Sequence, residues 1–248
     1  MPLPPERAAF YLAHLTSDSD RLAEVARLGL TAAVPSCPGW TVDDLVRHVA
    51  TVYLHKVEVL RTGRRPDPWP PELTGRGTLD LLTESRDAVV AALTEAGTDK
   101  PTWTFFPGDQ TSAFWYRRMA LETVVHRVDA ELAHAVLAPV DKDLAVDGID
   151  ELLVATLGGP WWEDGDTEHP VDAAVRITTN GNSWTVKLTA TAAEVTAGSD
   201  GDVDAEIFGE PAAVYLWLWG RADHSVVQLA GDESVVEEFH HRLAECTT

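Results

Sequence analysis

The sequence has only two cysteines, Cys37 and Cys246. That is too few for a disulfide framework, and neither belongs to a Cys-x-x-Cys pair of the kind that marks structural zinc. Basic residues are also scarce: 19 Lys and Arg stand against 40 Asp and Glu, a formal net charge of −21 at pH 7. Such a surface repels phosphate backbones and anionic membranes, which excludes nucleic acid and membrane as expected partners. An anionic substrate would need locally placed arginines. No apolar run approaches the ~18 residues that mark a membrane span. The opening stretch from Met1 to Arg7 lacks a basic region followed by an apolar one, so no secretory leader is expected and the protein is read as cytoplasmic. Internal repeats and low-complexity tracts are missing as well.

What remains is a chain of 248 residues, 45% of them apolar, with nine tryptophans. That is enough for one large or two modest domains and a sizeable core. Pro5 to Leu30 predicts a first helix; Thr16-Ser17-Asp18-Ser19-Asp20 leaves room for a break in it, and Gly29 suits its stop. Val34 to Trp40, with two prolines and a glycine, is not helical. Thr41 then makes an N-cap for a helix from Val42 to about Arg61, with Asp43 and Asp44 favoured in its first turn by the helix dipole. Gly63 to Gly77 reads as a loop, Thr78 to Ala96 as a third helix ended by Gly97, Pro101 to Gly108 as an aromatic loop, and Thr111 to Leu137 as a fourth helix. Four helices with short to medium connections predict an antiparallel bundle, a fold that often builds metal sites between facing helices.

Pro139 and Asp141-Lys142-Asp143 mark a linker, after which a helix from Ala145 to Leu157 is expected. The periodicity then changes. Ala173 to Thr178 and Ser183 to Ala190 alternate and flank Asn180-Gly181-Asn182, a hairpin signal. Val203 to Phe208 and Val226 to Ala230 read as strands, Pro211 to Trp219 and Asp232 to Glu245 as helices. The fold class is therefore two-domain: an all-α four-helix bundle over residues 1–140, then a small α+β domain over 141–248.

Chemistry concentrates on the fourth helix. Glu122 precedes His126 by four residues, which stacks a carboxylate and an imidazole on one face. Two such groups can grip one metal ion, and His48 on the second helix is the best third ligand. Each of the three lies in an apolar helix, where an unpaired charge is costly. Asp44 shares the His48 face and could orient its ring, and His55 is an alternative ligand. Asp129, three residues after His126, is either a partner for that ring or a solvated charge. Arg118 is either an ion-pair partner of Glu122 or a clamp for a substrate carboxylate. Cys37 reads as structural. His14, His134, His169, His224, His240 and His241 show no ligand spacing, and His240 and His241 read as surface residues of the last helix.

At these residues the sequence resembles a known family. The run Cys37-Pro38-Gly39-Trp40-Thr41-Val42-Asp43-Asp44-Leu45-Val46-Arg47-His48, followed far downstream by Glu122 to Ala130, is similar to the mycothiol-dependent maleylpyruvate isomerases, themselves DinB-like metal-binding bundles. The resemblance extends over almost the whole chain. Asp172 to Thr178 and Gly220-Arg221-Ala222-Asp223 look like the family's C-terminal domain, which is related to sterol-carrier-like modules. The resemblance implies that His48, Glu122 and His126 bind a divalent metal, usually zinc, and that Arg221 matches an arginine the C-terminal domain contributes. It further implies mycothiol as cosubstrate beside a small-molecule substrate.

Zinc held by two His and one Glu keeps positions open, and a thiol entering one of them loses its proton near neutral pH. By the resemblance, the thiolate would add to a double bond conjugated to a carbonyl, rotation would occur about the former double bond, and elimination would return the trans isomer and the thiol; maleylpyruvate would give fumarylpyruvate. A retained adduct, or departure of another group, would make the same site a thiol S-transferase. Arg118 and Arg221 are the residues expected to meet substrate carboxylates. A non-catalytic metal- or ligand-binding protein and a metal-dependent hydrolase remain alternatives, as does a monomer against a weak homodimer.

Overall fold

The computed structural model describes residues 3–73, 75–163, 165 and 167–247. Met1 and Pro2 of the opening stretch, and Thr74 of the predicted Gly63–Gly77 loop, lie outside the described residues. The chain divides into two compact units, Met1–Ala138 and Pro139–Thr248.

The first unit is a four-helix bundle of α1 (Pro5–Ala26), α2 (Val42–Thr62), α3 (Thr78–Ala96) and α4 (Ser112–His134). α4 packs against α1 and α2, and α3 packs against the same two. α1 therefore lies diagonally across the core from α2, and α3 from α4. α1 begins at Pro5, where a missing N–H costs nothing and φ is preset for a helix. Its buried positions Ala8, Tyr11, Leu15, Ser19 and Leu22 recur every three or four residues, so one stripe faces the core.

The break for which Thr16–Asp20 leaves room does not occur. Ser19 is buried, and Asp18 Oδ1 lies 3.1 Å from Arg127 Nε on α4. Arg21 Nε reaches Glu131 Oε1 at 2.9 Å, and Arg127 Nη1 reaches Glu131 Oε2 at 3.1 Å. Arg127 and Glu131 are buried, so this network ties α1 to α4 where a break would leave charges uncompensated. The helix stops at Ala26, before the expected Gly29.

α2 starts as the sequence predicts. Thr41 accepts a hydrogen bond from the Asp44 backbone N–H, and Asp44 Oδ2 accepts from the Thr41 N–H at 2.9 Å, a reciprocal cap. Asp44 also accepts from the Thr41 hydroxyl at 2.6 Å. Its carboxylate is thus engaged in the cap, and the possibility that it orients His48 is not realised. Val34 N donates to Trp40 O at 2.9 Å and Val42 N to Ala32 O at 2.9 Å, so the segment before α2 folds back on itself. α4 is the most deeply buried helix; polar residues Glu122, Thr123, Arg127, Asp129 and Glu131 are all buried on it.

The second unit opens with α5 (Lys142–Glu151), capped by Asp141 through the N–H groups of Asp143 and Leu144. A π-helical stretch at Leu152–Leu157 continues it. Then comes a five-stranded sheet of β1 (Ala173–Thr179), β2 (Asn182–Thr189), β3 (Ala192–Ala197), β4 (Ala205–Phe208) and β5 (Gln228–Gly231). Its strand order is β3-β2-β1-β4-β5, with β1 and β4 parallel and the other pairs antiparallel. The β1–β2 turn is Asn180-Gly181, both at positive φ (47° and 76°), the backbone that a two-residue hairpin requires. Val175, Ile177, Val186 and Leu188 fill one face of the sheet. Two helices complete the unit: α6 (Pro211–Leu218) and α7 (Glu233–Thr247), the latter packed on the sheet.

β3 was not legible in the sequence. Thr191-Ala192-Ala193-Glu194-Val195-Thr196 has little apolar alternation, and the strand exists because it pairs with β2 from Ala192↔Thr189 to Ala197↔Trp184. Among the described residues no helix is long and apolar enough to cross a membrane. Neither Cys37 nor Cys246 is part of a disulfide.

Candidate metal centre

α2 and α4 are adjacent in the bundle, and their facing sides bring His48, Glu122 and His126 together. Glu122 Oε1 lies 3.4 Å from His48 Nε2 and 3.2 Å from His126 Nε2. Two ligand atoms about 2.0–2.1 Å from a tetrahedral zinc sit about 3.3 Å apart, so both separations match the edges of such a site. The two imidazole rings are 5.1 Å apart and nearly perpendicular, and Trp40 packs on His48 at 5.0 Å.

The far side of His126 is also occupied. Its Nδ1 is 2.9 Å from Asp129 Oδ2, and Asp129 is fully buried. Asp129 Oδ1 accepts a 2.5 Å hydrogen bond from Ser36 Oγ, and Cys37 Sγ lies 3.8 Å from Oδ2. Of the two readings open for Asp129, the solvated charge is thus excluded. With the Nδ1 proton given to Asp129, a neutral His126 would point its Nε2 lone pair at the Glu122 oxygen. That arrangement is relieved by a second proton on the ring or by a cation at the point where the three side chains converge.

The electrostatics follow. Burial pushes the Glu122 carboxyl up, but the Arg118 guanidinium and the His126 ring, with hydrogen bonds from His126 and His48, hold it well below the usual carboxylate range. Burial disfavours charge on His126, yet Glu122 and Asp129 outweigh it and raise its pKa to about 9. Arg118, four residues before Glu122, pairs with the second carboxylate oxygen, Oε2. The ion-pair reading of Arg118 is therefore realised.

His55 is not part of this cluster. Its Nδ1 lies 3.0 Å from Lys56 Nζ, and its ring packs edge-on against Trp69 and Trp103 at 5.1 and 6.1 Å. Desolvation, then the charges of Lys56 and Arg65, depress its pKa to about 4, so it stays neutral and accepts from the ammonium. Lys56 Nζ also sits 4.6 Å from the centre of the Trp115 ring. Burial lowers its pKa to about 8, with Glu122 opposing and Arg118 and Arg65 reinforcing the shift. A cleft of about 460 Å³ is lined by Arg64, Arg65, Trp103 and Gln110. Sequence reasoning missed Lys56 and Ser36. The available signals were a lysine inside an apolar helix two turns beyond His48, and a serine in the proline-bounded segment before it.

Arg221 follows α6 in the second unit, where its Nη1 donates to Trp219 O at 2.6 Å and its guanidinium lies 5.6 Å from the Trp219 ring. His240, read from sequence as a surface residue, is instead half-buried: it stacks on Trp217 at 4.5 Å, and its Nε2 is 2.8 Å from Trp217 O. His14 lies 3.7 Å from Asp18, and His224 accepts from Trp217 Nε1 at 3.2 Å.

A helical bundle that gathers two histidines and a glutamate across adjacent helices, joined in one chain to a mixed-sheet unit, defines a two-part class of candidate metalloproteins. Within that class, the model of the mycothiol maleylpyruvate isomerase N-terminal domain matches residues 12–131, and that of the MDMPI C-terminal domain matches residues 143–238. The chain belongs to the mycothiol-dependent maleylpyruvate isomerase family. A crystal structure of the mycothiol-dependent maleylpyruvate isomerase has the same fold: TM-score 0.59 at 12% identity, covering 90% of this chain and 92% of that one. A histidine-to-alanine mutant of that isomerase aligns with TM-score 0.60, also at 12% identity and with the same coverage of both chains. No curated protein matches the chain at a significant level.

Proposed function

We propose that this protein is a divalent-metal-dependent enzyme that uses mycothiol, acting as a cis–trans isomerase of a maleylpyruvate-like substrate or as a related thiol S-transferase. The observation that carries this reading is the convergence of both Nε2 atoms on one oxygen of Glu122, with Asp129 holding the far side of His126. Two imidazoles and a carboxylate suit zinc or a similar borderline cation and leave coordination positions open. Such a cation supplies the positive charge that makes a nearby thiol ionise near neutral pH.

The chain's own residues supply the rest. His48, Glu122 and His126 are the ligands, and Asp129 fixes the ring of His126 and raises its basicity. Arg118 keeps Glu122 ionised. Lys56, a desolvated ammonium resting on an imidazole and an aromatic face, is suited to a substrate carboxylate or to the enolate oxygen that develops when sulfur adds to the double bond. Addition forms a C–S bond and turns the double bond into a single bond about which the chain rotates. Breaking the C–S bond expels the thiolate and restores the double bond in the trans form. Arg221, which the resemblance matches to an arginine contributed by the C-terminal domain, is the residue proposed to meet a substrate carboxylate.

Mixing the zinc-loaded protein with mycothiol and maleylpyruvate and following the cis-to-trans absorbance change tests the isomerase reading directly. No turnover removes it and leaves the transferase reading, which is tested by mass analysis of thiol adducts with other electrophiles. Replacing Glu122 or His126 by Ala should lower zinc at this site below one per chain; full occupancy of this site in both variants would refute the ligand assignment.

A further inference from the structure

The fold makes a second meeting of imidazole and carboxylate, at two histidines read from the sequence as showing no ligand spacing; spacing alone joins only Glu238 and His241, and His169 comes from a separate segment. His169 lies in the segment before β1, and Glu238 and His241 lie one turn apart on α7; a ligand atom from each falls within 4.8 Å of the others. His169 Nδ1 is 2.8 Å from Glu238 Oε2, and the rings of His169 and His241 are 4.6 Å apart. Glu238-Phe239-His240-His241 is a Glu-x-x-His pair, the i,i+3 spacing by which one helix offers a carboxylate and an imidazole to the same ion. His240, between them, is turned the other way onto Trp217.

The segment carrying His169 is clamped to the same helix. Glu245 accepts from Thr167 Oγ1 at 2.5 Å and from Glu168 N at 2.8 Å. Arg242 Nη1 donates to His169 O at 3.4 Å, and His169 N donates to Thr167 Oγ1 at 2.9 Å. The guanidinium of Arg242, buried against Trp162 at 3.9 Å, anchors the clamp. The backbone that places His169 over α7 is therefore ordered by bonds that do not involve the imidazole, so little ordering entropy opposes a ligand.

We propose that His169, Glu238 and His241 form a second divalent-cation site, for a borderline ion such as zinc. Two imidazoles and a carboxylate select against magnesium and calcium, which favour oxygen ligands. The net charge of −21 raises the local concentration of any cation. The site lies at the surface: the Glu238 side chain is 43% exposed and His241 is exposed. It therefore binds more weakly than a buried site and exchanges its ion freely. A bound ion pins the segment before β1 to α7 and stabilises the second unit by mass action.

Calorimetric titration of the metal-free protein with zinc tests this. Wild type should bind two equivalents, and His241→Ala or Glu238→Gln should bind one while keeping its fold by circular dichroism. In a Glu122→Ala/His126→Ala background the remaining equivalent should persist, and adding His241→Ala should abolish it. A wild-type stoichiometry unchanged by both second-unit variants overturns the proposal. Loss of zinc on His241→Ala with no loss on His126→Ala would uphold this site and defeat the bundle site instead. Should the bundle double variant fail to fold, the comparison of wild type with His241→Ala still decides the matter.

Discussion

Asp129→Asn isolates the role of the buried carboxylate behind His126. Asparagine is nearly isosteric and keeps one oxygen to accept from His126 Nδ1, and its amide can donate to Ser36 Oγ, so the packing survives. What is lost is the negative charge that raises the basicity of the ligating ring. Removing such a partner typically lowers metal affinity by about 10- to 100-fold. The same carboxylate also helps hold a competing proton on His126, whose pKa is raised to about 9. Near neutrality wild type therefore carries a large proton-competition penalty, about tenfold for each unit between pH and pKa, and the variant carries a smaller one. The two losses partly cancel at neutral pH and separate as the pH approaches 9. Affinity is measured by competition with a chromophoric chelator at both pH values. The deficit of the variant should be small near neutrality and should grow by about an order of magnitude toward pH 9. An equal deficit at both values, or none at either, would refute the assignment of Asp129, and a fall in thermal stability without a change in affinity would give it a purely structural role.

Lys56→Met should stabilise the protein while raising KM for an anionic substrate. The Lys56 pKa falls from 10.5 to about 8 on folding, so at neutral pH both states are charged and the folded state carries the full desolvation cost. At about 1.4 kcal/mol per unit the ceiling is about 3 kcal/mol, and about 1–2 is expected after relaxation. The gain should be present in urea unfolding at pH 7 and fade as pH rises from 8 through 10.5; a loss of stability at pH 7 contradicts the reasoning. Thr41→Ala removes the reciprocal cap of α2 and should cost about 1 kcal/mol, read as a shift of the unfolding midpoint; a neutral result would mean the cap contributes nothing. Gly181→Ala should cost about 1 kcal/mol for its positive φ, since nothing crowds an added Cβ. Gly231→Ala should cost far more, because its Cβ would lie 2.2 Å from Asp204 O and 2.9 Å from Ala205 Cα on β4. Equal midpoints for these two variants would show that the β4–β5 pairing is not as tight as described.

Much of the architecture could be read from residue order because it depends on neighbours close in sequence. The Thr41–Asp44 cap, the ends of α2 and α3, the Asn180-Gly181 turn and the stacking of Glu122 over His126 each involve residues at most four apart, and backbone geometry alone dictates them. The ligand triad was proposed from spacing joined to a resemblance, and Arg221 from the resemblance only. What spacing left open was decided by packing between segments remote in sequence. Asp18 and Ser19 remain helical because Arg127 and the core receive them. Asp44 is consumed by its own cap, which leaves Asp129, itself held by Ser36, to orient an imidazole. Lys56 becomes a desolvated cation only when Trp115 of α4 packs against it, and His169 meets Glu238 and His241 only when α7 lies along the segment before β1. A side chain's charge, protonation and partners depend on which surfaces exclude water from it, and in these cases those surfaces come from other segments of the chain.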